Sequence, residues 1–382
     1  IMKGSWMIGS AIQSSDPGVL KAIKRDNIST ESFTRFIEFT NSLSKDAVTY
    51  TEIILGLPGD SKEKHYESLN YGIINKVNSL RMYQAMLSTG TDMATPLSRK
   101  NFELQTKFRT IPGCVGIYTL FGEKHPIAEI EEIIVGSNTM SFQDYIDCRI
   151  MNLFIETFYN NALFEEVFAM LRTMDVDIFD SLVYLKDHEE LYLPRIKEIV
   201  DSFVDQTTND LFSSLEEAKN FVLTEEVVER YVEGELGINE LLVHKALLYM
   251  ELEDITGLLI QSVKKILAKK NLLTEPVNTY LTELQDIIVF RRRSILNTDE
   301  VIYGHFTYDF EEIDKLDGYI DPNIYPKSDP IQYVFFHDEN QKKHIANQSK
   351  LYSEGPVGVG RFIQRSNLKK MYRTYTRVEK EF

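Results

Sequence analysis

Cysteine is nearly absent from this 382-residue chain, and tryptophan occurs once. Two cysteines, Cys114 and Cys148, give no disulfide framework and fit a reducing, cytoplasmic compartment. No apolar run reaches the roughly eighteen residues that a membrane-spanning helix needs. Basic residues are in deficit, 42 against 58 acidic ones, and the net charge of -16 argues against a nucleic-acid partner. Arg291-Arg292-Arg293 is a short exception that marks a helix end or a local anion contact. The seven histidines are scattered and none has the spacing of a zinc site. Gly355-Pro356-Val357-Gly358-Val359-Gly360 has no P-loop lysine and serine, so it reads as a flexible surface loop. Gly56 and Gly59 are not followed by the third glycine of a dinucleotide fingerprint. His337-Asp338, after a strand-like run, could pair as acid and base, although a solvated turn is the plainer reading. Internal repeats and low-complexity tracts are also missing.

What is present is strongest at Thr51-Glu52-Ile53-Ile54-Leu55-Gly56-Leu57-Pro58-Gly59-Asp60, where an apolar run breaks at a Gly-Leu-Pro-Gly corner. That is the pattern of a buried parallel strand reaching its C-terminal end, where open sheets and (β/α) barrels carry their chemistry. Asp60 is placed to cap the next helix and Glu63 to close a capping box, with Tyr66, Leu69, Ile73 and Val77 on one face. The same logic reads before and after this corner. Trp6 to Ile12 is a short apolar run ending in Gln13-Ser14-Ser15, and Asp16 then caps a helix with Pro17 in its first turn. A second helix opens at Ser29 and turns Phe33, Phe36, Ile37 and Leu43 toward the sheet. Val77 to Leu87 returns as a further strand, broken by Ser88-Thr89-Gly90-Thr91. Residues 1–95 therefore predict three parallel strands with helical crossovers, their polar groups gathered where the strands end.

Residues 96–141 are mixed and connecting. Ile111 to Tyr118 is rich in turn formers, and Ile130 to Val135 reads as a strand. Ser141 caps a helix, and residues 142–295 then form a helical domain, with sets such as Ile150, Leu153, Phe154 and Phe158 at helical spacing. Its methionines and aromatics read as core rather than as a cofactor box. Residues 296–382 form an α+β tail, with strands at Val301–Tyr308 and Ile331–Phe336, a helix near Gln341–Leu351 and a final basic segment.

The stretches Gln13 to Arg25, Ile54 to Asp60 and Gly90-Thr91 closely resemble the later half of a radical S-adenosylmethionine domain. The subgroup they resemble is the one that usually carries an N-terminal cobalamin-binding domain. The resemblance covers residues 1 to about 95 and weakens through the tail. It implies an α/β fold, the C-terminal half of a partial (β/α)6 TIM-like barrel, in which the three strands are the fourth to sixth. Three strands would leave a barrel incomplete. With Ile1 directly preceding a strand, the expectation is a C-terminal portion of a longer protein with its N-terminal segment or domain upstream. The alternative is a small α/β layer completed by later residues.

In such a domain Gln13 and Ser14 would lie by the ribose or methionine of S-adenosylmethionine. Ile54, Leu55 and Gly56 would support its adenine, and Ala85, Met86 and Leu87 would offer backbone to its edge. The family usually has Glu where Asp60 stands. Its CxxxCxxC motif, which ligates a [4Fe-4S] cluster, has no counterpart here, so the cluster ligands are absent from this chain. The implied chemistry is reductive cleavage of S-adenosylmethionine to a 5'-deoxyadenosyl radical, for cobalamin-linked methyl transfer or a related rearrangement of a small-molecule or peptide substrate. The alternative function is a noncatalytic helical binding module that retains a barrel remnant.

Overall fold

A computed structural model describes residues 7–43, 48–237, 239–352 and 355–378. It divides into two compact units, Ile1–Asn152 with Asp201–Leu241, and Leu153–Val200 with Leu242–Phe382. The first is a mixed α/β unit with alternating strands and helices, and helices dominate the chain from Phe142 to Arg292. No closed barrel forms among the described residues.

In the first unit β1 (Met7–Gly9), β2 (Val48–Leu55) and β3 (Ser79–Gln84) form a parallel sheet in that order. Trp6, expected at the start of β1, lies outside the described residues. The connections contain α1 (Pro17–Ala22), α2 (Thr30–Leu43) and α3 (Lys62–Ile74). Asp16 caps α1 through Val19 N–H at 2.8 Å, with Pro17 in the first turn as the sequence predicts. Along β2 one face is sealed, with Thr49, Thr51, Ile53 and Leu55 buried. Val48, Tyr50, Glu52 and Ile54 on the other face are half-buried. This alternation differs from the continuous apolar run of a strand covered on both faces.

After α4 (Pro96–Asn101), β4 (Gln105–Leu120) and β5 (Glu123–Gly136) make a long antiparallel hairpin. Here the reading of Ile111–Tyr118 as turn-rich is corrected, because the segment lies within β4. Its Pro and Gly fall where the register shifts between Thr110 and Val115, so they produce an irregularity in a continuing strand. Met86 bridges Ile133, so β5 runs beside the continuation of β3. α5 (Phe142–Phe154) follows, and the Ser141 hydroxyl caps it as expected, accepting from Asp144 N–H at 3.1 Å.

The second unit packs helices such as Ile178–Asp187, Leu252–Lys269 and Glu275–Arg292 together with an antiparallel sheet. That sheet is β6 (Ile302–Phe306), β7 (Ile331–Phe336) and β8 (Thr374–Arg377) in order. Its core is aromatic: the ring of Tyr280 meets those of Tyr308 at 5.2 Å and Phe310 at 5.9 Å. The Gly355–Gly360 stretch is not a surface loop but opens the helix Gly355–Arg365. Gly360 is buried there, and a Cβ on it would lie 2.7 Å from the Leu242 carbonyl oxygen, so glycine allows a backbone approach that an ordinary residue would block. His337 and Asp338 form neither a solvated turn nor an acid–base pair. His337 is buried with Nε2 at 3.0 Å from the Met371 carbonyl, while Asp338 caps the helix Glu339–Ser349 in a capping box with Gln341. Arg291 and Arg292 end their helix in ion pairs with Glu166.

Candidate functional site

Parallel strands all point the same way, so the ends of β1, β2 and β3 share one rim. The backbone ties the three groups of candidate residues, at Gln13, Ile54–Gly56 and Ala85–Leu87, into that rim. Gln13 N–H donates to the Glu52 carbonyl at 2.8 Å, and Ile54 N–H donates to that of Gln13 at 2.9 Å. Ala85 N–H reaches the Leu55 carbonyl at 2.8 Å. On its far side the Ala85–Leu87 segment is claimed by β5, through Ile134 N–H to Ala85 O at 2.9 Å and Leu87 N–H to Glu132 O at 2.8 Å.

Burial sorts the eight candidate residues. Gln13 and Ile54 are half-buried and Met86 is 46% exposed, so these three have side chains that an incoming molecule could touch. Ser14, Leu55, Gly56, Ala85 and Leu87 are buried. The Ser14 hydroxyl accepts Asp16 N–H at 3.2 Å and lies 3.5 Å from that of Ser68. Leu55 packs with Ile133 and Tyr145, whereas Ala85 and Leu87 pack with Val19 and Leu57.

Gly56 has φ +82, and a Cβ on it would lie 3.1 Å from the Ile134 carbonyl oxygen. A side chain there would strain the backbone and press on β5. Glycine therefore has a structural reason to stand at this corner. Asp60 is corrected too. Ser61 caps α3, its hydroxyl accepting Lys64 N–H at 3.3 Å. The Asp60 carboxylate instead turns back into the corner, accepting Gly56 N–H at 3.3 Å and Ser61 N–H at 2.9 Å. Burial pushes this carboxyl up to about 7, and the two N–H bonds and Lys64 only partly restrain it. His65, one turn into α3, is buried with Nε2 at 3.0 Å from Asn152 Oδ1, and burial lowers its pKa to about 4.

Residues that the sequence reading passed over hold the rim loop. Arg25 Nη2 donates to the Ala11 carbonyl at 2.8 Å, and Asn27 Nδ2 donates to those of Ile12 at 2.7 Å and Ser14 at 3.0 Å. Ser68 Oγ accepts Ser15 N–H at 2.9 Å. The signal for the first two was the polar Arg25-Asp26-Asn27 run directly after an apolar short helix. On the half-buried face of the sheet, the Arg81 guanidinium stacks 3.7 Å over the Tyr50 ring and pairs with Glu52 at 3.9 Å.

Beside the rim loop, α1, α2 and α3 line a cleft of about 1040 Å³ that includes Ser15, Lys21, Arg25, Phe33 and Tyr71. Cys114 and Cys148 stand alone: burial pushes the Cys148 thiol well above its ordinary value, and among the described residues no three His, Cys, Asp or Glu side chains are grouped to hold a metal ion. The two thiols therefore do not fit as ligands of an iron–sulfur cluster. No described helix is long and apolar enough to cross a membrane. No protein-family model matches the chain, and no curated protein sequence matches it.

Proposed function

We propose that this chain is the later-strand part of a radical S-adenosylmethionine enzyme, whose [4Fe-4S] cluster is held by residues of the parent protein outside this sequence. The observation that supports the reading is the joining of Gln13, the Gly56 corner and the Ala85–Leu87 segment on one rim by backbone hydrogen bonds. In this reading Gln13, Ile54 and Met86 touch the cofactor through side chains. Ser14, Leu55, Gly56, Ala85 and Leu87 act by holding the rim in shape. The reaction is reductive cleavage of S-adenosylmethionine, serving cobalamin-linked methyl transfer or a related rearrangement.

Two measurements test it. Calorimetric titration of the chain alone with S-adenosylmethionine should show no micromolar binding, because the chelating iron is not supplied by these residues. The parent protein, reconstituted with iron and sulfide and then reduced, should release 5'-deoxyadenosine. A parent protein that holds no cluster and releases none would sink the proposal. The second reading, a noncatalytic binding module, draws on the size of the helix-lined cleft beside the rim loop and would gain from that outcome.

A further inference from the structure

The second unit contains a polar site of its own, built on an irregular stretch of helix. Ile155–Tyr159 is a π-helical turn, a form that occurs mostly as single turns and often at functional sites. It runs into Asn161 and Ala162, both with left-handed backbones at φ 63 and φ 54. Such a conformation is strained for an alanine, so the surroundings must hold it in place.

The charges beside this turn are satisfied by one another. Lys245 Nζ, buried, meets Glu156 Oε1 at 2.6 Å, and the other Glu156 oxygen takes the Asn160 amide. Three further polar atoms are buried without a partner among the described residues: Thr157 Oγ1, Asn161 Nδ2 and the Tyr249 hydroxyl. All three residues line the same small cavity, of about 10 Å³, with Asn160, Lys245 and the apolar Leu163, Ile363 and Leu368. Buried donors and acceptors left without partners are destabilising, so such groups are normally satisfied. The cavity matches the roughly 10–15 Å³ that one water requires, and three is the usual number of bonds for a buried water.

We infer that this cavity is a built site for a single structural water molecule, bonded to Thr157, Asn161 and Tyr249. The ion pair nearby is internally neutral, which favours a neutral guest over an ion. The Tyr249 hydroxyl keeps its proton, since burial drives its pKa far upward, and it can donate. The water then accepts from Tyr249 O–H and Asn161 N–H and donates to Thr157 Oγ1, which leaves each orphan with a partner. It joins the π turn to the helix Glu240–Met250 that carries Lys245 and Tyr249.

A crystal structure of the chain at a resolution that orders waters is the test. The expected result is one density peak within hydrogen-bond distance of all three atoms, without anomalous signal after a bromide soak. The Thr157→Val/Tyr249→Phe double variant should lose the peak, and Tyr249→Phe alone should weaken it. No peak in the wild-type protein, direct bonding among the three side chains, or a bromide site there would overturn the inference. The wild-type density decides the matter even where the double variant does not fold.

Discussion

The Gly56 corner of the first unit and the helix ends of the second handle buried polarity in different ways. At the corner Asp60 and His65 are buried singly, each with neutral hydrogen-bonding partners, although the same unit also pairs buried Arg149 with Glu240 at 2.6 Å. In the second, charges enter the helical interior in opposite-sign sets, Glu166 with Arg291 and Arg292, Glu156 with Lys245, and Glu300 with Arg373. A lone titratable group resists its charged form when buried, so its pKa moves toward the neutral state, whereas a matched pair keeps both charges and fails when either partner is removed.

The harshest way to break this comparison is to remove one member of a pair. Glu166→Gln leaves Arg292 buried without its counter-charge, and chemical denaturation should show a loss of about 3–5 kcal/mol. A loss below about 1 kcal/mol would show that the pairs of the second unit are not holding its interior.

The pH dependence of the first unit sharpens the contrast. Asp60 titrates higher in the fold than its ordinary 3.8, so its contribution falls as pH rises from about 4 to about 7. His65 titrates lower than its ordinary 6.5, so its contribution rises as pH climbs from about 4 to 6.5. The two slopes oppose each other across that window. Asp60→Asn removes the first, and stability should then rise by on the order of 3 kcal/mol between pH 4 and 6.5. Unfolding curves collected across the range would show this, and a variant as level as the wild type would refute the assignment.

The Gly56 corner offers a smaller effect with an internal control. Gly56 and Gly90 share a left-handed backbone, φ +82 and φ +88, but only at Gly56 does an added Cβ meet another atom within 4 Å. Gly56→Ala should cost about 2 kcal/mol and Gly90→Ala about 1 kcal/mol. Equal losses would mean that contact with Ile134 contributes nothing. The caps match the Gly90 effect in size. Ser61→Ala and Asp338→Ala should each lose about 1 kcal/mol in thermal or denaturant unfolding.

Local rules made much of the architecture legible. The apolar runs ending at turn residues gave β1 to β3, and the capping signals at Asp16 and Ser141 gave helix starts. Where reading failed, a residue had a local role on offer and a tertiary one in fact. Asp60 could cap a helix, yet the neighbouring Ser61 does so and Asp60 faces the Gly56 amide. Pro112 and Gly113 look like a turn, yet the hairpin continues through them because β5 supplies the pairing.

The candidate site divides the same way. The order of its segments and their arrival on one rim follow from sequence, because strand-helix-strand crossovers keep successive parallel strands pointing alike. Which atoms remain accessible there was decided by packing. β5, distant in sequence, takes one side of Ala85–Leu87, and Ser68 of α3 takes the Ser15 amide and approaches the Ser14 hydroxyl. Local periodicity can say that a residue stands at a strand end. Whether its polar groups are already satisfied depends on which distant element comes to lie against it, and only the tertiary structure decides that.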